Sequence, residues 1–315
     1  MSLTRRHFTY ALTAGLASFT FPLQARQSSA APPAMRLILL GTAGGPTPKK
    51  NRAAPSQVIL INEVAYVVDC GNGVAQQLAK AGIKLSAIRH VFVTHHHSDH
   101  NADYGNLLLL AWAADLDHRV DTWGPPPLQR MTRQFLALND TDIQTRIKDE
   151  GRPALDKLIV PHDIKRPGIV LQHDDLTVRA TQVVHPPVTP AYAFRFEHQG
   201  RSIVISGDTS YSPQLVELAR DADILVHEIM HTPSLEKLLA TEPNALRLKA
   251  HLLASHSTGE QVARVAREAN VKKLVLSHFV PGGYPYLNDQ VWLDAVRPHF
   301  DGEIIVGRDL MEISI

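Results

Sequence analysis

The feature that most constrains this chain is a run of histidines and an aspartate directly after an apolar segment. The segment His90–Val93 is predicted to be a strand, and it leads into Thr94-His95-His96-His97-Ser98-Asp99-His100. Side chains at a strand end are presented by a loop but held by a rigid scaffold. Histidine is the commonest metal ligand, and imidazole together with carboxylate suits zinc and similar divalent ions. The run therefore predicts a metal site at the end of a strand.

The spacing within this run divides the candidate ligands into two sets. Residues two apart in an extended segment point to the same side, so His95 and His97 are predicted to bind one ion. Asp99 and His100 then turn toward a second ion. A purely structural explanation also exists, in which these side chains cap a helix beginning near Ala102, with Asp99 as the N-cap. Three histidines and an aspartate in this order favour the metal site.

Alternating strand and helix patterns surround the histidine run. From Met35 onward, short apolar segments bounded by Gly and Pro alternate with helical patterns, and 44% of the 315 residues are hydrophobic. This alternation predicts a layered α/β architecture in one domain over residues 35–315. The polar stretches 139–168 and 233–253 are predicted to be excursions that wall a pocket. The single cysteine, Cys70, excludes an internal disulfide framework.

Residues 1–34 are predicted to be an export signal. Arg5 and Arg6 precede a short apolar run from Tyr10 to Phe21, which is followed by small residues. The run is shorter than the ~20 apolar residues of a membrane span. Positive charge, an apolar run and small residues in this order are typical of a secretory signal. The paired arginines resemble a twin-arginine signal, which predicts a periplasmic or secreted protein without a membrane span in the mature chain.

The string His95-x-His97-x-Asp99-His100 resembles the motif of the metallo-β-lactamase-fold hydrolases, and later residues fit that family in order. An Asp-x-Gly begins at Asp69, a lone His follows a predicted strand at His185, and further Asp and His residues follow strands at positions 208 and 278. The resemblance implies an αββα sandwich, with two mixed β-sheets flanked by helices. It also implies two Zn²⁺ ions per chain, with Mn²⁺ or Fe²⁺ as alternatives. Their ligands would be His95, His97, Asp99, His100, His185, Asp208 and His278.

Two more motifs indicate a branch of this family. His227-Glu228-Ile229 and His256-Ser257-Thr258 resemble the His-Glu-Ala-Thr and His-Ser-Thr motifs of ribonuclease Z and its relatives, which include arylsulfatases and small-molecule phosphodiesterases. By this resemblance, His256 would contact the oxyanion of the scissile group and Glu228 would orient His256. Asp99 would accept a proton from the nucleophile besides binding metal. For His256, an N-capping turn before the helix predicted from Gly259 is the alternative explanation.

The substrate is predicted from charge and spacing. The family resemblance implies a hydrolase in which hydroxide held between two cations attacks an ester. Removing the three arginines of residues 1–34 turns the formal charge of +1 into −2, whereas polyanion-binding proteins usually carry excess Lys and Arg. Only 23 positions separate His185 from Asp208, too few for the basic arm that ribonuclease Z relatives usually carry there. We therefore expect small anionic phosphodiesters or sulfate esters as substrates, and nucleic acid is disfavoured as a partner.

Other interpretations stay open. A lactonase or β-lactamase-type carbonyl hydrolase would use the same metal site, and a ribonuclease Z-like endonuclease would use the same His256 and Glu228. A metal-binding protein without catalysis is disfavoured because every ligand position of the family pattern is filled. The sequence leaves open the ester and the native metal, and a homodimer is compatible with it.

Overall fold

The short apolar segments of the sequence form two seven-stranded sheets in the computed structural model, which describes residues 35–173, 175–240 and 242–315. The predicted export signal, residues 1–34, lies outside the described residues. The strands of the first sheet are β1 (Met35–Gly41), β2 (Ser56–Ile61), β3 (Val64–Val68), β4 (Ile88–Phe92), β5 (Val120–Gly124), β6 (Ile159–Asp163) and β14 (Met311–Ser314). Those of the second sheet are β7 (Gly168–His173), β8 (Leu176–Val183), β9 (Ala191–His198), β10 (Arg201–Ile205), β11 (Ile224–Met230), β12 (Lys273–Val280) and β13 (Glu303–Val306).

Both sheets are mixed. The first has the order β14-β1-β2-β3-β4-β5-β6, and it is antiparallel from β14 to β3 and parallel from β3 to β6. The second has the order β13-β12-β11-β10-β9-β8-β7, antiparallel from β7 to β10 and parallel from β10 to β13. Ligand sites in α/β sheets form beyond the carboxyl ends of parallel strands. The parallel halves therefore offer two rows of strand ends from which a site can be built.

Helices connect the parallel strands, as parallel pairing requires. The helix α10 shows how the sequence sets a boundary, because Thr258 and Gln261 form a reciprocal capping box at its start. None of the helices in the described ranges is long and apolar enough to cross a membrane. The helices are α1 (Val74–Lys80), α2 (Ser98–Asn101), α3 (Tyr104–Ala113), α4 (Leu128–Leu138), α5 (Asp140–Glu150), α6 (Leu155–Leu158), α7 (Pro213–Leu218), α8 (Leu235–Leu239), α9 (Ala245–Ser255), α10 (Gly259–Glu268) and α11 (Asp289–Val296), with 3₁₀ turns at Leu85–Ala87, Thr232–Ser234 and Arg297–His299.

The apolar core has three layers. The middle layer lies between the two sheets, where the Phe92 ring of the first sheet packs edge-on against Phe194 and Phe196 of the second at 5.3 and 5.2 Å. One outer layer packs α1 and α3 onto the first sheet, and the other packs α7, α10 and α11 onto the second. This arrangement confirms the predicted αββα sandwich.

Several local predictions differ from the structure. Residues 139–168 are not an irregular excursion, since they form α5, α6 and the edge strand β6. The helix α5 has a weak apolar pattern because only Ile143 among its residues is buried. Within 233–253, most of α9 was also not predicted. The strands β11 and β12 run beyond their predicted ends, so Glu228 and His278 lie inside strands rather than after them.

Candidate metal centre and active site

The first candidate ligands follow β4 in an extended segment. The Thr94 amide donates to Asp69 Oδ1 at 2.8 Å, and the Thr94 hydroxyl donates to the same buried carboxylate at 2.9–3.0 Å. These bonds fix the chain at the strand end, from which His95 and His97 reach the centre. The helix α2 begins directly after His97, so its first turn carries the next two candidate ligands.

Asp208 lies three residues after the end of β10, at a point where the backbone is crowded. The preceding residue, Gly207, has a φ of +59°, and a Cβ there would lie 2.9 Å from the Tyr192 carbonyl oxygen. Glycine is therefore required before Asp208, both for its left-handed backbone and for this close approach.

His278 is placed by an irregularity in β12. Glu228 pairs with Ser277 and Ile229 pairs with Phe279, so His278 is an extra residue without a partner in the ladder. Its φ of +44° is in the left-handed region, which is strained for a residue with a side chain. A bulge of this kind re-aims a side chain. Here it brings His278 to the side chains that follow β4 and β10.

One set of donor atoms comes from His95, His97, His185 and Asp208, and these atoms all lie within 4.8 Å of one another. His97 Nδ1 is 3.1 Å from His95 Nε2 and 3.0 Å from His185 Nε2. Asp208 Oδ2 is 3.8 Å from His95 Nε2. Three imidazoles and a carboxylate around one point form a donor set that suits Zn²⁺.

A second set comes from Asp99, His100, Asp208 and His278, again within 4.8 Å. Asp208 Oδ1 is 3.3 Å from His100 Nε2, and Asp208 Oδ2 is 3.2 Å from His278 Nε2. Asp99 Oδ2 is 3.4 Å from His278 Nε2. Asp208 belongs to both sets, so one carboxylate joins the two donor sets. The structure brings together all the residues that the family pattern proposes as ligands.

Hydrogen bonds behind the centre orient the imidazoles. Asp69 Oδ2 accepts from His100 Nδ1 at 2.7 Å, and the Ser255 carbonyl accepts from His185 Nδ1 at 2.9 Å. In the neutral form of each ring the other nitrogen, Nε2, then carries the lone pair that a metal requires. His100 Nε2 and Asp208 Oδ1 lie 3.3 Å apart in the interior, and neither has a further hydrogen-bond partner among the described residues. A cation beside these two atoms would satisfy both.

The electrostatics of the centre also fit cations. Burial lowers the pKa of His95 well below its ordinary value and that of His185 to about 4, so both rings are neutral, as ligands must be. Burial acts in the same direction on His100, but Asp208, Asp69 and Asp99 outweigh it and raise the pKa of His100 well above its ordinary value. The carboxylates therefore create a negative potential that divalent ions would neutralise.

His256 and Glu228 form a pair at the border of the second set. His256 Nδ1 donates to Glu228 Oε1 at 3.0 Å, and Glu228 Oε1 also accepts from the Thr209 amide at 2.9 Å. The His256 ring stacks on His278 with centroids 5.7 Å apart. Burial opposes protonation of His256, but the Glu228 carboxylate outweighs it and raises the pKa of His256 to about 9. The pair can therefore present a protonated imidazole beside the metal positions.

A cavity of about 630 Å³ opens directly onto the centre, and two ionisable residues that line it, His251 and Lys49, were not among the predicted site residues. His251 lies on α9 with its ring centroid 5.9 Å from that of His97. Lys49 reaches the cavity from the loop between β1 and β2. His251 was missed because most of α9 was not predicted, and no sequence signal distinguishes Lys49 from the adjacent Lys50. Tyr284 also lines the cavity.

Comparison with known proteins places the chain in a family. Residues 35–278 match the family described as Anti-Pycsar protein Apyc1. The ribonuclease Z of Mycobacterium bovis (strain BCG / Pasteur 1173P2) is 34% identical over 285 residues, which is 89% of this chain and 98% of that protein.

Solved structures share the fold. The human tRNase Z, short form, superposes with a TM-score of 0.65 at 22% identity, over 89% of this chain and 99% of that one. The metallo-β-lactamase fold protein YhfI from Bacillus subtilis has a TM-score of 0.63 at 20% identity, over 89% and 98% of the two chains.

These comparisons correct one prediction. The expectation that nucleic acid is disfavoured as a partner is wrong, because the relatives that match over nearly their whole length are named for RNA cleavage. That expectation depended on the short spacing between His185 and Asp208 and on net charge. Net charge sums over the whole chain and does not locate the basic residues. Lys49 and Arg52, for example, both lie in the loop between β1 and β2, beside the centre.

The fold, the clustered donor residues and the length of the match agree with one another. The chain therefore belongs to the family described as Anti-Pycsar protein Apyc1, and with its ribonuclease Z relatives it is a metal-dependent hydrolase of ester bonds.

Proposed function

We propose that the protein is a ribonuclease Z-like phosphodiesterase that cleaves RNA with two divalent cations, Zn²⁺ first among them. The observation that carries this proposal is the pair of donor sets that share Asp208, with His256 and Glu228 at their border. The ligands would be the residues of the two donor sets, namely His95, His97, Asp99, His100, His185, Asp208 and His278.

Two cations at these positions would supply Lewis acidity and a water of lowered pKa. The residues of the chain add proton transfer and orientation. Asp99 lines the cavity, and its pKa is held well below its ordinary value because His100 and His278 outweigh the effect of burial. It is therefore ionised and can accept a proton from an attacking water.

His256 is placed to act on the leaving group. Because its Nδ1 donates to Glu228, its Nε2 is the nitrogen left for a bound substrate, and the ring lines the cavity. A proton donated from Nε2 would neutralise the oxygen that leaves when the P–O bond breaks. Glu228 does not reach the substrate in this scheme; it holds the ring and its charge.

Export is a separate proposal. The paired Arg5 and Arg6, followed by an apolar run, support a twin-arginine signal and a periplasmic or secreted location. Transport of a folded chain would allow the metal centre to assemble before the protein leaves the cytoplasm.

The function is tested on the full chain loaded with Zn²⁺ or Mn²⁺. The substrates are a transfer-RNA precursor with a 3′ trailer, bis(p-nitrophenyl) phosphate, p-nitrophenyl sulfate and a lactone. We expect cleavage of the two phosphodiesters, loss of that activity in Asp208→Ala, and full activity in the control Asp156→Ala, whose side chain is 61% exposed on α6. Turnover of the lactone or the sulfate ester without phosphodiester cleavage would overturn the proposal.

A further inference from the structure

A lysine reaches into the cavity from an otherwise exposed loop. Residues 42–55 connect β1 and β2 and pass beside the metal centre, where the Gly45 amide donates to Asp99 Oδ2 at 3.1 Å. The residues around the tip, Pro46 to Pro48 and Lys50, are exposed, whereas Lys49 is half-buried and lines the cavity. The loop therefore places the Lys49 side chain at the cavity and leaves the neighbouring Lys50 side chain in solvent.

The loop is fixed at its base. Asp309 accepts hydrogen bonds from the backbone amides of Thr42 at 3.0 Å and Ala53 at 2.5 Å, and so joins the two ends of the loop. Arg52 donates to the Thr42 hydroxyl at 2.6 Å and stacks on the Phe279 ring at 4.3 Å. The position of the loop beside the centre is therefore set by contacts on both of its ends.

The Lys49 side chain is also held in place by packing. A Cβ on Gly283 would lie 3.2 Å from Lys49 Cβ and Cγ, which means that the aliphatic stem crosses this glycine. The φ of +83° at Gly283 and its lack of a side chain leave room for the stem. The stem is thereby held against the cavity wall, and the ammonium group is carried at its end.

The ammonium group of Lys49 has no anionic partner of its own. Nζ donates to the Thr47 hydroxyl at 2.5 Å, and no carboxylate of the described ranges lies within 4.0 Å of it. Asp99 and Glu242 act on it electrostatically from the lining of the same cavity. A partly desolvated ammonium group is stabilised by an anion placed in the space it faces.

We propose that Lys49 binds a non-bridging oxygen of the substrate phosphate, a role that rests on the proposed phosphodiesterase function. Lys49 thus acts as a substrate-binding residue and takes no part in bond breaking. Because an ion pair of this kind forms in the ground state as well as in the transition state, its loss raises KM more than it lowers kcat.

The kinetic test compares Lys49→Met with the matched control Lys50→Met in the full, metal-loaded chain. Methionine keeps the stem that packs on Gly283 and removes the charge. With bis(p-nitrophenyl) phosphate, we expect Lys49→Met to raise KM about tenfold to a hundredfold, with kcat changed less than about threefold, and Lys49→Arg to restore part of the loss. Lys50→Met should match the wild type, and metal content and Tm should be unchanged in all variants.

A second measurement does not depend on activity. Acetylation of each lysine is followed by mass spectrometry with and without inorganic phosphate, which should protect Lys49 but not Lys50. Equal KM values for the two methionine variants, or a lack of protection at Lys49, would overturn the inference. Protection at Lys49 in a protein that cleaves no phosphodiester would support the anion site while the proposed function fails.

Discussion

The hydrogen bond between Asp69 and His100 leads to a specific prediction about metal binding. Asp69 is 2% exposed, and its two carboxylate oxygens accept from His100 Nδ1, the Thr94 amide and the Thr94 hydroxyl. In Asp69→Asn, Oδ1 can still accept from the Thr94 amide, but an NH₂ group then faces His100. Asparagine also tolerates the left-handed φ of +61° at this position, so the backbone need not move.

The amide would reverse the His100 tautomer. An NH₂ donor opposite Nδ1 favours the ring form whose proton is on Nε2, the nitrogen that points to Asp99 and Asp208. A protonated Nε2 cannot bind metal. Loss of such supporting bonds costs about tenfold to a hundredfold in metal affinity, or about 1.4–2.7 kcal/mol. The loss should fall on the second donor set, since His100 is absent from the first.

Competition with a chelator of known zinc affinity, followed by metal analysis, would measure this change. We expect Asp69→Asn to keep one tight ion and lose affinity for the other. The control is Asp103→Asn, because Asp103 accepts from the Gly73 amide at 2.6 Å but contacts no candidate ligand. The ring nitrogen signals of His100 in the metal-free variant, recorded at a pH at which this ring is neutral, report the tautomer directly. Two ions held with wild-type affinity, or an unchanged tautomer in a folded variant, would refute the reasoning.

Three further predictions concern other parts of the chain. His256→Ala should keep both ions but lower kcat by about 10²–10⁴, less for a p-nitrophenolate leaving group than for an alkoxide; loss of metal would show that His256 is structural. Burial lowers the pKa of His90 to about 4, so the unfolded state binds more protons and stability falls as pH drops below about 6.5. Urea unfolding with chelator should therefore show that His90→Phe removes about 2 kcal/mol of the stability difference between pH 7.5 and pH 5, and an unchanged difference would contradict the burial argument. Changing Arg5 and Arg6 to Lys should trap the precursor in the cytoplasm, as fractionation would show, because a receptor distinguishes the two side chains; normal export of this variant would leave no role for the arginine pair.

The sequence was most informative where a ligand type coincides with a strand end. The apolar segment before His95 predicts both a strand and the place where its side chains emerge, and the same holds for His185 and Asp208. The sandwich could be predicted because these positions match a family pattern in order. For the residues between these positions, the prediction depended on alternating apolar segments. Strongly patterned strands show such segments clearly.

The rest of the site depends on features that leave little trace in a sequence. A bulge aims His278, but nothing in Leu276-Ser277-His278-Phe279 marks the left-handed backbone there. Lys49 and Lys50 are the same residue type, and only the packing against Gly283 separates their environments. The distribution of charge over the surface is equally hidden, which is why a net charge of −2 contributed to the wrong expectation about nucleic acid.

The position of His278 in the chain has a consequence for protein synthesis. The second donor set joins Asp99 to a residue 179 positions later, on a strand that forms only when most of the polypeptide has been made. A chain still emerging from the ribosome therefore lacks His278, one of the candidate ligands of this set, whatever the metal supply. An enzyme that cleaves RNA would be made beside abundant RNA, and this order of assembly would keep the unfinished chain inert until its last strands are in place.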